Sequence, residues 1–330
     1  MGIKPWYLLP PSLAHHLSLP AINLMSPFLP SSSCKWRSLT FQNLEFDNPL
    51  GIAGGVDKNG EAIFAWNKLG CGFIELGTIT PKPQSPNPGK ILDRNIGHKA
   101  LWNKMGFPNK GMEAIYENIV QAKESHPNLP PLFINLGKNR DTENQNASDD
   151  YVKVMEKMKS VADAYVVNIS SPNTKGLRDL FSPNAFSQFL KPVVDCNQGE
   201  KPLLLKLSPD LEDEHLHTVL DLSYDLGVDG WILTNTTTFR PQGLPFPTDS
   251  GGMSGAPLAH LSERMLENAL KHLGDRRNNK LIISAGGILT PEDVKRRLDL
   301  GADLIQVYSA LVFDGPFFFK RVSDKFKNIQ

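Results

Sequence analysis

Eight short apolar runs recur along the chain. They occupy residues 50–53, 72–76, 132–136, 165–169, 203–207, 230–233, 281–285 and 304–307. Strands buried on both faces read as continuous apolar runs of this kind, because neither face meets water. Between most of them the apolar residues follow helical spacing, at 61–69, 112–123, 149–161, 213–226, 262–273 and 291–300. The last of these opens with Thr290-Pro291-Glu292-Asp293, a capping residue followed by proline and two acids. Strand and helix alternating eight times predict a closed parallel sheet ringed by helices, the (β/α)8 TIM barrel of the α/β class.

Residues 1–40 do not fit this alternation and are expected to form a separate apolar helical extension, with the barrel domain spanning 41–330. Trp6, Tyr7, Leu8, Leu9, Leu13, Leu17 and Leu19, then Ile22, Leu24, Met25, Phe28 and Leu29, suggest two short helices broken by prolines. Two readings stand. One is a hairpin packed on the barrel bottom. The other is an apolar surface for lipid or a lipid-soluble partner. No run approaches the ~20 apolar residues of a membrane span. The early prolines Pro5, Pro10 and Pro11 break any secretory pattern, so the chain is expected on the cytosolic side. Lys plus Arg (35) equals Asp plus Glu (35), which argues against a nucleic-acid partner. Cys34, Cys71 and Cys196 lie far apart and show no metal spacing. The eight histidines are scattered, so no metal site is expected.

In barrels of this kind chemistry sits where the strands end. The ends here are small or polar. The first runs into Gly54-Gly55-Val56-Asp57-Lys58. The others reach Gly77-Thr78, Asn135, Asn168, Lys206, Thr234-Asn235-Thr236, Gly286-Gly287 and Tyr308-Ser309. The fourth end continues as Ile169-Ser170-Ser171-Pro172-Asn173, where Pro172 stops any ladder. Polar groups converging in one mouth require a polar ligand, since burying them unpaired is costly. Glycines after strand seven and a serine after strand eight suit a phosphate. Lys58 and Lys206 call for an anion, or for an acid such as Asp57 or Asp210. A set of amides, hydroxyls and ammonium groups fits a flat heteroaromatic cofactor with a phosphate tail.

These residues resemble the dihydroorotate dehydrogenases, specifically the membrane-associated, quinone-linked class 2. The likeness covers about residues 48–320. It rests on Asn48-Pro49-Leu50-Gly51, Asp57-Lys58-Asn59-Gly60, Gly77-Thr78-Ile79-Thr80-Pro81, Asn103-Lys104-Met105-Gly106-Phe107, Asn135-Leu136-Gly137-Lys138-Asn139, Asn168 to Asn173, Lys206-Leu207-Ser208-Pro209-Asp210, Thr234 to Thr237, and Gly251-Gly252-Met253-Ser254-Gly255. The resemblance implies an FMN enzyme of pyrimidine biosynthesis that oxidises dihydroorotate to orotate.

By motif, FMN would be held by Gly54, Thr78, Asn135, Asn168, Lys206, Thr234, Gly255, Gly286 or Gly287, Tyr308 and Ser309. Substrate would be held by Lys58, by Asn103, Lys104, Met105, Gly106 and Phe107, and by Asn168, Asn173, Asn235 and Thr236. Ser171 matches the catalytic base, on a loop for which Gly176 is a candidate hinge. Soluble relatives carry cysteine at that place, so Ser171 and the apolar extension favour a quinone acceptor and a peripheral position on the cytoplasmic face of the membrane. The alternative is a soluble flavin dehydrogenase using fumarate or a nicotinamide. Of the Arg-rich stretch usual in the quinone class, Arg94 is in register. His15 or His16 matches a family residue near the quinone.

Overall fold

The computed structural model describes residues 4–29, 35–246 and 250–327; Cys34 lies outside them. A 3-10 turn, Pro5–Leu8, precedes helix α1 (Pro11–Met25). A hairpin follows, β1 (Leu39–Phe41) with β2 (Leu44–Phe46), so residue 40 falls within a strand. Then come β3 (Leu50–Asp57), α2 (Ile63–Lys68), β4 (Ile74–Ile79), β5 (Leu92–Asn95), β6 (Ala100–Asn103), α3 (Met112–Ser125), β7 (Leu132–Leu136) and α4 (Ala147–Met158). The chain continues through β8 (Ala164–Asn168), α5 (Pro183–Asn197), β9 (Leu203–Leu207), α6 (Asp213–Asp225), β10 (Gly230–Leu233), β11 (Gly252–Gly255) and α7 (Ala259–Leu273). It ends with β12 (Leu281–Ala285), α8 (Pro291–Asp299), β13 (Leu304–Val307), α9 (Ser309–Phe313) and α10 (Phe318–Lys327).

β3, β4, β7, β8, β9, β10, β12 and β13 form a closed parallel barrel, each paired with the next and β13 with β3. The eight runs of the sequence are these eight strands. Side chains of a strand alternate between its two faces, so every second residue enters the barrel. Phe73, Phe133, Val166, Leu204, Ile232, Ile283 and Leu304 form one apolar interior cluster, closed from below by Leu44 and Phe46 of the hairpin. Two residues further along the same strands stand Glu75, Asn135, Asn168, Lys206, Thr234 and Gln306, all buried. The barrel therefore carries a dry lower layer and a polar upper one. The outward faces pack on the helices in a second, larger core.

Three features depart from the sequence expectation. The N-terminal segment forms one 15-residue helix with Pro20 inside it, not two. Pro20 removes the donor that would serve the His16 carbonyl, on an exposed face where water can replace it. The segment also packs at the barrel mouth, not the bottom. Arg94 of β5 donates to the carbonyls of Trp6, Tyr7 and Leu9 at 2.6–2.9 Å, and the Trp6 indole donates to Val312 O at 2.7 Å. The bottom is taken by β1 and β2. Finally, β5, β6 and β11 pair as an antiparallel sheet over the mouth.

Candidate active site

The polar upper layer is the floor of the site. Glu75 accepts a hydrogen bond from Lys206 Nζ at 2.9 Å and others from Asn135 and Gln306. Lys206 thus has a buried acid for partner, neither of the two expected. Asp57 instead accepts the Glu61 and Ala62 N–H groups, and burial pushes its carboxyl above the ordinary value. Asp210 binds Arg178 at 2.7 Å. Burial pulls Asp210 upward, but hydrogen bonds from Thr237, Thr238 and Arg178 outweigh that and hold it below the usual carboxylate range. Asn168 donates to Thr78 Oγ1 at 3.0 Å and to Asn135 Oδ1 at 3.2 Å, and its own Oδ1 accepts from Ser170 and Asn235.

Above this floor opens a cavity of about 1100 Å³, counted to its open mouth. Gly54, Thr78, Asn168, Lys206 and Thr234 line its floor and near wall. Gly286, Gly287, Tyr308 and Ser309 line the side formed by the last two strands. Burial pushes the Tyr308 phenol up to about 12, so it remains protonated. Lys58, Asn103, Met105, Gly106, Phe107, Ser171 and Asn173 also line the cavity, with Asn235 and Thr236. Asn173 donates to Asn103 Oδ1 at 2.8 Å, tying the strand-four loop to the sheet over the mouth.

Three residues singled out by motif do not line this cavity. Asn135 lies one shell beneath, bonded to Glu75 and Asn168. Gly255 sits against Lys99, where a Cβ would come within 2.1 Å of its carbonyl oxygen. Lys104 turns into a neighbouring outer cavity with Arg140 and Lys175. Glu75 and Gln306 were missed by motif reading. Their signal was a polar residue at an inward position of an otherwise apolar strand. Arg178 was also missed. Its guanidinium holds Ser170 O at 2.9 Å and Thr236 O at 3.2 Å, so it fastens the Ser171 loop to the sixth strand end. Ser171 is buried, and its Oγ accepts the Asn173 N–H at 3.2 Å. Gly176 has φ 69° and precedes a 3-10 turn, a left-handed position suited to glycine.

Lys58 Nζ lies 3.0 Å from His15 Nε2 of α1. Burial, and then the nearby Lys58 and His16, push His15 down to about 3, so its ring is neutral at ordinary pH and Nε2 accepts from the ammonium. Burial pushes Lys58 down to about 8, with Asp57 and Glu61 partly offsetting it.

A flavin's donor and acceptor edge fits this floor. Gln306 lines the cavity, and its Oε1 is buried without a hydrogen-bond partner among the described residues. Asn173 Oδ1, also on the cavity wall, likewise lacks a partner among the described residues. Such atoms require a partner.

The family model for dihydroorotate dehydrogenase matches residues 37–329. The chain belongs to the dihydroorotate dehydrogenase family. This is a family of flavin-dependent oxidoreductases. A dihydroorotate dehydrogenase (quinone) of Stenotrophomonas maltophilia is 39% identical over 92% of this chain and 88% of its own. One of Halorhodospira halophila is 42% identical over 83% and 80%. The crystal structure of an Eimeria tenella dihydroorotate dehydrogenase in complex with ferulenol superposes with a TM-score of 0.86. It is 31% identical and covers 99% of this chain and 95% of that one.

Proposed function

We propose that this protein oxidises dihydroorotate to orotate and passes the electrons, through FMN, to a quinone. One observation carries the reading. Ser171, Lys58 and the paired amides line the same cavity whose floor is the Lys206–Gln306 layer. The oxidation removes a proton from C5 and a hydride from C6 of the pyrimidine. FMN, when bound, supplies the hydride acceptor. Lys206, Asn168, Thr78 and Gln306 would hold its ring, and Gly286, Gly287 and Ser309 its phosphate. Lys206 offers a fixed cation where negative charge grows. Lys58 binds the substrate carboxylate, and Asn103, Asn173 and Asn235 orient its cyclic amides. Ser171 Oγ takes the C5 proton as its own hydroxyl proton passes to water in the open cavity. The Lys206–Glu75 ion pair keeps that cation buried without an unpaired charge.

The test is anaerobic. Dihydroorotate should bleach bound flavin, and a quinone should restore its colour where fumarate and nicotinamide do not. A colourless protein that takes up no FMN sinks the reading.

The apolar extension is the membrane-facing part. No helix among the described residues is long and apolar enough to cross a bilayer. Leu8, Leu24 and Phe28, at 80%, 76% and 86% exposure, are instead presented outward beside a site whose Lys58 touches the same segment. Exposed apolar side chains of this kind favour a peripheral contact. Changing Leu24→Ser together with Phe28→Ser should cost roughly 10-fold or more in binding to lipid vesicles, at ~25 cal/mol per Å² of apolar surface. Oxidation of dihydroorotate by a soluble dye should stay unchanged. Vesicle binding that survives the double change would place the contact elsewhere.

A further inference from the structure

Arg297 of α8 is a charged group, 2% exposed, that none of the chemistry above uses. Its Nη1 donates to Ser284 Oγ at 3.1 Å. Its Nη2 reaches Ala259 O at 2.8 Å, Ser262 Oγ at 2.9 Å and Gly286 O at 3.3 Å. Ser262 Oγ also donates to Gly286 O, at 2.8 Å. The carbonyl of Gly286 is therefore held from the outer side of the barrel by two donors. The Gly286–Gly287 peptide is trans, and in a trans peptide C=O and N–H point in opposite directions. Holding the carbonyl outward aims the N–H of Gly287 inward, toward the cavity that Gly287 lines. The turn needs glycine for this. Gly287 has φ +73°, and a Cβ there would come within 2.2 Å of Ala259.

The charge around Arg297 is incompletely matched. All four acceptors of its Nη groups are neutral. Its ion-pair partner, Glu263, stands 3.8 Å from Nε and is shared with Arg296 at 3.7 Å. Burial disfavours the guanidinium, yet arginine does not give up its proton in a protein. A cation thus stands behind a backbone donor, in a low-dielectric setting where its field is felt across the turn.

We propose that Arg297 is a positioning residue for a phosphomonoester, aiming the Gly287 N–H at the anion and lending it positive potential without touching it. This rests on the reading that FMN occupies the cavity. The full-length protein, stripped of flavin and titrated with either FMN or riboflavin, gives the test through quenching of flavin fluorescence. The two ligands differ only in the phosphate. Arg297→Met should weaken FMN by about tenfold or more, because the anion loses a nearby positive potential and Gly286 O loses one of its two donors, and leave riboflavin within about twofold. Arg297→Lys should fall between. Equal weakening of both flavins would mean a merely structural role, and no weakening of either would mean none; each overturns the proposal. Should Arg297→Met fail to fold, Ser262→Ala carries the same comparison, because it removes one of the two donors on Gly286 O. Wild-type protein that binds neither flavin would refute the FMN reading itself, a result distinct from the others.

Discussion

Ser171→Ala lowers the rate of flavin bleaching by dihydroorotate about 10²–10⁴-fold, the span usual for loss of a positioned base, while bound FMN and orotate affinity hardly change. The separation follows from where the residue sits. Ser171 lines the cavity but makes no hydrogen bond to Lys206, Asn168 or the glycines of the last two strands. Its only hydrogen bond among the described residues is the one it accepts from the Asn173 N–H. Alanine deletes the hydroxyl and leaves the backbone in place, because Arg178 holds the loop through Ser170 O and not through Ser171. Rapid mixing under anaerobic conditions reads the chemical step alone, before any quinone is involved. A bleaching rate within threefold of wild type would remove Ser171 from the chemistry. Ser171→Cys offers a second reading: it should recover part of the rate and shift its pH dependence, since a thiol ionises at lower pH than a hydroxyl.

The architecture was legible in the sequence because each barrel strand is buried on both faces, which writes a continuous apolar run into residues such as 132–136 and 203–207. The strand ends were legible too, because polar residues such as Asn168 and Thr234 interrupt those runs at one consistent place. Glu75 was harder to see. It sits inside the run Phe73-Ile74-Glu75-Leu76, and only the inward register shared with Phe73 shows that it must meet a cation. That cation, Lys206, lies 131 positions away, and no local pattern joins them. The same limit applies to the N-terminal helix. Its apolar character is local, but its place at the mouth is set by Arg94 gripping three carbonyls 85 to 88 residues earlier. Lys104 shows the converse. A motif gives its neighbours Asn103 and Met105 to the cavity, yet Lys104 turns to the outer one.

The second large effect concerns Lys58 and depends on pH. Burial brings Lys58 down to about 8 from 10.5 in the protein free of substrate. Below that pH it is an ammonium and can bind an anionic pyrimidine; above it, the neutral amine cannot. The kcat/KM for dihydroorotate should therefore fall as pH rises through about 8, approaching tenfold per pH unit. A carboxylate seated on the ammonium favours the charged form. The alkaline limb of kcat, which reports the complex, should then lie at higher pH than that of kcat/KM. His15 does not blur this window, since it titrates near 3 and is already neutral. Lys58→Met removes a charge-assisted contact worth about 1.5–3 kcal/mol, or roughly 10- to 150-fold in affinity. It should raise KM accordingly and flatten the fall above pH 8. Because Lys58 also donates to His15, the same change loosens α1 at the mouth, whereas His15→Phe keeps the ammonium and should leave the KM for dihydroorotate within about threefold. A Lys58→Met enzyme that kept both its KM and its alkaline limb would show that another group receives the carboxylate.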